Sequence, residues 1–151
     1  MPPRVRLREV QEQDLPLFFD HQRQPAANRM AAFGPRERDA FTAHWTKILA
    51  DPSVVVRTVV ADDEVVGNVV SWDQDGRREV GYWIGQEHWG KGLATGALRM
   101  FLEIVDARPL LAHVAVHNAG SIRVLERCGF SLLHETTTSD GVQEYLYELR
   151  A

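Results

Sequence analysis

Apolar and charged residues alternate at the start of the chain, Val5 and Leu7 against Arg4, Arg6 and Arg8, which predicts a half-buried strand. Asp14 and Pro16 then suit the start of a helix that carries Leu15, Phe18 and Phe19 to about Gln22. From Gln24 to Gly34 neither period is present, and the stretch reads as irregular. Pro35 suits a second helix start, with Phe41, Trp45, Ile48 and Leu49 at helical spacing until Asp51-Pro52 ends it. Three β-branched runs follow, Val54 to Ala61, Val65 to Trp72 and Glu79 to Ile84. Asp62-Asp63 and Asp73-Gln74-Asp75-Gly76 between them are turn chemistry, so consecutive antiparallel strands are predicted.

From Gly90 to about Asp106 the pattern returns to a helical period. Ala94, Ala97, Leu98, Phe101 and Val105 share one face, with Thr95, Arg99, Glu103 and Asp106 away from it. Leu110 to Val116 reads as a buried strand, and Asn118 caps a helix bearing Ile122, Leu125 and Cys128. Gly129-Phe130 is a left-handed stop with a hydrophobic contact after it. Phe130 to Thr136 and Val142 to Leu149 close the chain as a hairpin around Ser139-Asp140-Gly141. The order β-α-α-β-β-β-α-β-α-β-β predicts an α+β fold on one mixed, mostly antiparallel sheet flanked by about four helices. No repeat or linker interrupts it, so residues 1–151 read as a single domain.

Composition narrows the possibilities. With 151 residues, 44% hydrophobic and 25% charged, the chain suits one compact core rather than disorder. Its formal net charge of −4 gives no global field toward nucleic acid or an anionic membrane, so any polyanion must be bound locally. The one cysteine, Cys128, cannot form an internal disulfide and reads as a buried inert thiol. No Cys/His cluster has metal-ligand spacing, and the expectation is no metal and a reducing cytoplasm. The start of the chain has no apolar run behind its charges, and no stretch approaches the ~18 apolar residues of a membrane span.

The strongest local signal runs from Glu79 to Thr95, where a strand feeds a glycine-bearing turn that opens a helix. Gly90 and Gly92 let the backbone approach a ligand, and the free N–H groups of the first helical turn would face a phosphate. A purely connecting turn is the simpler alternative. Gly85 to Lys91 matches the start of a nucleotide-binding P-loop, but Gly92 stands where Ser or Thr should hold magnesium. The antiparallel meander upstream also argues against that fold.

These residues resemble the GNAT superfamily of N-acetyltransferases, whose Gln/Arg-x-x-Gly-x-Gly/Ala motif falls on Trp89-Gly90-Lys91-Gly92-Leu93-Ala94. Trp89 replaces the usual Gln or Arg, but Gly-Tyr-Trp-Ile-Gly followed by Trp-Gly-Lys-Gly-x-Ala-Thr looks like the RimJ/RimL-type branch. Asn118-Ala-Gly-Ser121, continuing to Gly129-Phe130, is similar to the family's Asn-x-x-Ser segment. The resemblance implies a GNAT fold and acetyl-coenzyme A as donor. Its pyrophosphate would lie on the N–H groups of Gly90, Lys91, Gly92, Leu93, Ala94 and Thr95, beside Trp89, and its pantetheine along Tyr82, Trp83 and Ile84. An edge N–H near Trp83 or Ile84 would polarise the thioester, a contribution of ~2.7–4 kcal/mol per donor in other enzymes.

The acceptor implied is a primary amine of a small molecule or peptide. A lysine-like amine, with a pKa near ~10.4, needs a base to take its proton. Glu79 resembles the family's general base, directly or through one water, and His117 is the alternative. Many relatives give proton donation to the thiolate to a tyrosine that falls here on Leu125, which leaves Ser121, with Asn118 orienting the pantetheine amides. Ser121 could equally just satisfy a free helical N–H. Resemblance places acceptor choice in the first helices and the closing hairpin, with His21, Asn28, Arg29, Phe33, Trp45 and Tyr145 as candidates, though Phe41 and Trp45 also suit the core. Other readings are a protein N-terminal acetyltransferase and a non-catalytic acyl-coenzyme A sensor. Edge strands at the closing hairpin are compatible with a homodimer, although the sequence does not give the oligomeric state.

Overall fold

The computed structural model describes residues 4–26, 29 and 36–150. Seven strands form one sheet: β1 Val5–Arg8, β2 Val55–Ala61, β3 Glu64–Gln74, β4 Arg77–Ile84, β5 Leu110–Ala115, β6 Ser131–Thr137 and β7 Gln143–Leu149. Their spatial order is β1-β2-β3-β4-β5-β7-β6, antiparallel throughout except for the parallel pair β4–β5. The helices are α1 Leu15–Gln22, α2 Arg38–Ala50, α3 Leu93–Ile104 and α4 Ala119–Arg127.

The meander forms as expected, except that the second turn is only Asp75-Gly76, with Asp73 and Gln74 drawn into β3 by pairing with Arg78 and Arg77. Asp62 and Asp63 sit at φ 49° and 69°, and Asp75 and Gly76 at 51° and 78°, so both hairpins turn through left-handed residues whose twist matches the strands. α4 starts as its cap requires, the Asn118 side chain accepting from Ser121 N–H at 3.1 Å. It ends with Phe130 N–H on the Leu125 carbonyl and Gly129 N–H on that of Glu126, at 3.0 and 3.1 Å, a paired stop that satisfies two orphan carbonyls.

Period-two alternation divides the molecule into two layers. One face of the sheet packs Val69, Val80, Leu110, Ala112 and Val114 against Leu98 and Phe101 of α3 and Leu125 of α4. The opposite face carries Phe18 and Phe19 of α1 with Phe41 and Trp45 of α2. Fully buried Asp14 ties β1, α1 and β2 together: Arg8 donates to it at 2.7 and 2.8 Å, Thr58 at 2.8 Å and Gln11 N–H at 2.8 Å.

Two further expectations change. Pro25, Ala26 and Arg29, within the stretch expected to be irregular, are helical. Proline at a first turn forfeits only an N–H that has no helical partner. Thr95, expected away from the apolar face of α3, is buried at 8% exposure, because α4 crosses that first turn and the Cys128 thiol points at the Thr95 carbonyl, 3.7 Å away. Asn28, Phe33 and Pro35 lie outside the described residues.

Candidate active site

The site begins where the sheet comes apart. β4 and β5 pair only at Arg78–Leu110 and Glu79–Leu111, after which β4 runs on paired with β3 alone and β5 with β7 alone. The β3–β4 hairpin fixes which amides this leaves available. Its Asp75-Gly76 turn makes Gln74–Arg77 a hydrogen-bonded pair, so Trp72–Glu79, Val70–Gly81 and Asn68–Trp83 are hydrogen-bonded pairs in turn. Val80, Tyr82 and Ile84 therefore aim their amides toward the side from which β5 has parted. This narrows the expected thioester donor: the Trp83 amide belongs to the ladder, and Ile84 or Tyr82 faces the cleft.

Below that opening a cavity of about 420 Å³ runs between the end of β4, the glycine turn, α3 and α4. Gly90 and Gly92 take φ of 79° and 75°, and a Cβ on either would meet nothing within 4 Å. Their glycine character serves the left-handed backbone and not the available space. Gly92 is the N-terminal cap of α3 and has no side chain to bond the helix. The first helical bond runs from Gly96 N–H to the Gly92 carbonyl, which leaves the amides of Leu93, Ala94 and Thr95 without a partner one turn back in the helix. The positive end of α3 thus opens onto the cavity. Trp89 Nε1 donates to the Ile84 carbonyl at 2.9 Å, tying the turn to the end of β4 and accounting for an aromatic at this position.

All the expected cofactor residues line this cavity except Lys91, which is exposed: Tyr82, Trp83, Ile84, Trp89, Gly90, Gly92, Leu93, Ala94, Thr95, Asn118 and Ser121. Arg123, Arg127 and His88 also line it and were missed. The two arginines stand four apart, hence on one side of α4, and that spacing downstream of Asn118 was the available signal.

Ser121 is not alone. Its Oγ lies 2.6 Å from the Tyr82 hydroxyl, which also reaches the Ser121 carbonyl at 3.2 Å. Burial pushes the Tyr82 phenol up to about 12, against the opposing pull of the Ser121 bond, so it stays protonated. Leu125, where many relatives place a tyrosine, is core at 1% exposure.

Glu79 is buried on the opposite face of the sheet and lines neither cavity. It lies two residues, about 7 Å, before Gly81. Its Oε1 is 3.4 Å from His113 Nε2, and His113 Nδ1 is 3.5 Å from Glu144 Oε1. Burial raises the Glu79 carboxyl above its ordinary value, with His113 and then Arg77 pulling it down and Asp75 and Glu144 adding to the rise. His113 was missed because its partners come from β4 and β7. His117 bonds the Arg29 carbonyl through Nε2 at 2.6 Å and lines neither cavity. Of the acceptor candidates, Trp45 lines a second cavity on that opposite face, while buried His21 accepts Trp83 Nε1 on its carbonyl at 3.2 Å. Tyr145 packs edge-on against Tyr147, away from both cavities. Burial raises the thiol of half-buried Cys128. Among the described residues no group of three or more His, Cys, Asp or Glu could hold a metal ion, and no helix is long and apolar enough to cross a membrane.

A splayed parallel strand pair above an open helix N-terminus is the architecture of an acetyltransferase (GNAT) domain, and the model of that domain matches residues 4–131. The chain belongs to this family. It is 31% identical over 112 residues to YdaF of Bacillus subtilis (strain 168), named a ribosomal N-acetyltransferase, the match covering 70% of this chain and 60% of that protein. It is 29% identical over 110 residues to N-acetyltransferase p20 of Bacillus licheniformis, covering 64% of this chain and 60% of that one. The matches thus span about 60% of the length of these curated relatives. Among solved structures, spermidine N-acetyltransferase from Vibrio cholerae, in complex with CoA and spermine, superposes with a TM-score of 0.83 at 19% identity, over 97% of this chain and 95% of that one. Aminoglycoside acetyltransferase AAC(6')-Ib with coenzyme A gives 0.78 at 22% identity, over 97% and 95%. At these identities the likeness is one of fold.

Proposed function

We propose that this protein is an acetyl-coenzyme A-dependent N-acetyltransferase that moves the acetyl group directly to a primary amine. The observation that carries the reading is the cavity at the β4–β5 opening, which joins an uncapped helix N-terminus, two arginines and a paired hydroxyl in one groove. The amides of Gly90 to Thr95 and the α3 dipole suit the pyrophosphate, and Arg123 and Arg127 suit the remaining phosphate charge. The Ile84 or Tyr82 amide would donate to the thioester oxygen as it gains charge.

The amine nitrogen attacks the carbonyl carbon, the C–N bond forms, the C–S bond breaks, and the electron pair leaves on sulfur. The proton shed by nitrogen passes through water to Glu79, because Glu79 stands back from the groove. The Ser121 hydroxyl, backed by Tyr82, donates to the departing thiolate. That pair also weighs against a non-catalytic sensor, since it supplies the hydroxyl that Leu125 lacks. Half-buried Cys128, with its thiol raised by burial, makes a poor nucleophile, which favours transfer without a covalent intermediate.

The likeness to YdaF keeps a peptide N-terminus among the acceptors. Exposed Leu132 and Leu133 on edge strand β6 are the surface on which a homodimer would form, readable by light scattering. The cytoplasm is the compartment that suits a lone unpaired thiol. The deciding experiment measures coenzyme A thiol release across amines and short peptides beside a calorimetric titration of acetyl-coenzyme A. Amine-dependent release establishes the enzyme, binding without release across the whole panel supports the sensor, and absence of binding overturns both.

A further inference from the structure

The second cavity, also about 420 Å³, lies against the α1–α2 face of the sheet and shares Tyr82 and Trp83 with the cofactor groove. Its walls are rings: Phe18, Phe41 and Trp45 from the helices, Trp72 and Trp83 from the sheet. Gly81 forms its floor, where a Cβ would come within 3.3 Å of the Trp72 ring.

Polar groups in it are few, and one is unused. Gln22 is spent on the backbone, donating to the Phe19 and Arg36 carbonyls at 3.2 and 3.0 Å and accepting Arg36 N–H at 2.7 Å. Asn68 is 8% exposed, lines the cavity, and its side-chain amide has no hydrogen-bond partner among the described residues. The buried side-chain atoms left without a partner among the described residues are His21 Nδ1 and Arg108 Nε, so the Asn68 amide is open to the cavity, where a bound ligand can hydrogen-bond to it. Asn68 is also the cross-strand neighbour of Trp83, so it stands where the two cavities meet. The charged group in the lining is Arg36, and His44 beside it is held below its ordinary value by burial and by Arg36 and Lys47, hence neutral. No Asp or Glu lines the cavity among the described residues, and none occurs in the sequence between Ala26 and Arg36.

We propose that the acceptor is an aromatic primary monoamine, which seats its ring among Trp45, Trp72 and Trp83 and presents its nitrogen to the side-chain oxygen of Asn68. This rests on the acetyltransferase reading and names its substrate class. A polyamine or aminoglycoside would bring further ammonium groups to a mostly apolar lining that includes Arg36 and, among the described residues, no carboxylate to serve as their counter-charge. Free amines and peptides with an aromatic first residue share this chemistry, and the assay tells them apart.

The test measures kcat/KM for 2-phenylethylamine, tryptamine and the peptide Phe-Gly-Gly against butylamine, spermidine and kanamycin. The aromatic amines are expected to exceed the others at least tenfold, and the ratio of tryptamine to Phe-Gly-Gly separates free from peptide acceptors. Asn68→Leu is expected to raise the 2-phenylethylamine KM at least tenfold with acetyl-coenzyme A affinity unchanged, and Arg36→Glu to raise kcat/KM for spermidine. Calorimetry of 2-phenylethylamine into the coenzyme A complex reads binding without turnover. Preference for spermidine, kanamycin or butylamine, or no 2-phenylethylamine binding by a protein that binds coenzyme A, overturns the inference and leaves the acetyltransferase reading standing. Failure to bind acetyl-coenzyme A overturns that reading instead.

Discussion

Gly92→Ala tests the glycine turn with no steric ambiguity. The new Cβ would meet no atom within 4 Å, so whatever the substitution costs must come from the backbone at φ 75°. For an L-residue that conformation costs about 1–2 kcal/mol. The penalty appears in one of two places. If the turn keeps its shape, the protein loses that much stability and binds acetyl-coenzyme A as before. If the turn relaxes to negative φ, stability is kept and the amides of Leu93 and Ala94 turn away from the phosphates. Affinity then falls by about five- to thirty-fold, the same free energy expressed as binding. The sum of the two losses, from chemical denaturation and from calorimetry, is therefore expected at about 1–2 kcal/mol wherever it falls. Gly92→Asn should lose less, since asparagine enters this region more readily, and Gly92→Val more. A sum near zero for alanine, or equal losses for asparagine and valine, would refute the claim that the turn is glycine for its dihedral angle.

The remaining predictions concern the chemistry. Glu79→Gln is expected to lower kcat by about a hundredfold and to abolish the acidic limb of the pH–rate profile. Burial raises the Glu79 carboxyl and His113 is the largest influence pulling it down, so His113→Gln should move that limb to higher pH. An unmoved limb would remove His113 from the proton path. Tyr82→Phe and Ser121→Ala should each lower kcat about tenfold or more with little change in acetyl-coenzyme A affinity, and the double variant should cost little beyond either single one, because one hydroxyl acts through the other. Multiplying losses would show two independent roles. Cys128→Ala should retain full turnover, checked by steady-state rates, and its loss in a folded protein would point to an acetyl-cysteine intermediate.

How much of this could be read from the chain follows the range of each interaction. The hairpins and the glycine turn are local: Asp75-Gly76 and Gly90-Lys91-Gly92 state their backbone conformations within a few residues, and Asn118 and Gly129 mark both ends of α4. Glu79 and His113 lie 34 residues apart in sequence and meet because β5 sits between β4 and β7, a neighbour relation that no periodicity announces. His117 fits a base by position alone, and its ring is taken up by the Arg29 carbonyl. Thr95 misled for the same reason: its burial comes from α4 crossing α3, not from the helical wheel of α3 itself. The character of the second cavity was hidden most deeply, since Phe18, Trp45, Asn68 and Trp83 come from four elements.

The divergence of β4 from β5 is what lets these parts work together. Alternation along β4 sends Tyr82 toward Ser121 and α4, and Trp83 with Gly81 toward the α1–α2 layer. A continuous β4–β5 ladder would leave a donor on one face and an acceptor on the other separated by hydrogen-bonded backbone. Once β5 departs after Leu111, Tyr82 to Ile84 are paired with β3 alone and their other side is open, and the two cavities share Tyr82 and Trp83 as walls. The same departure frees the amides of Tyr82 and Ile84 from strand pairing on that side. The gap through which the acetyl group must pass and the amide that would polarise its carbonyl thus have one structural cause. Sealing the gap with further β4–β5 pairing would consume the donor as it closed the passage.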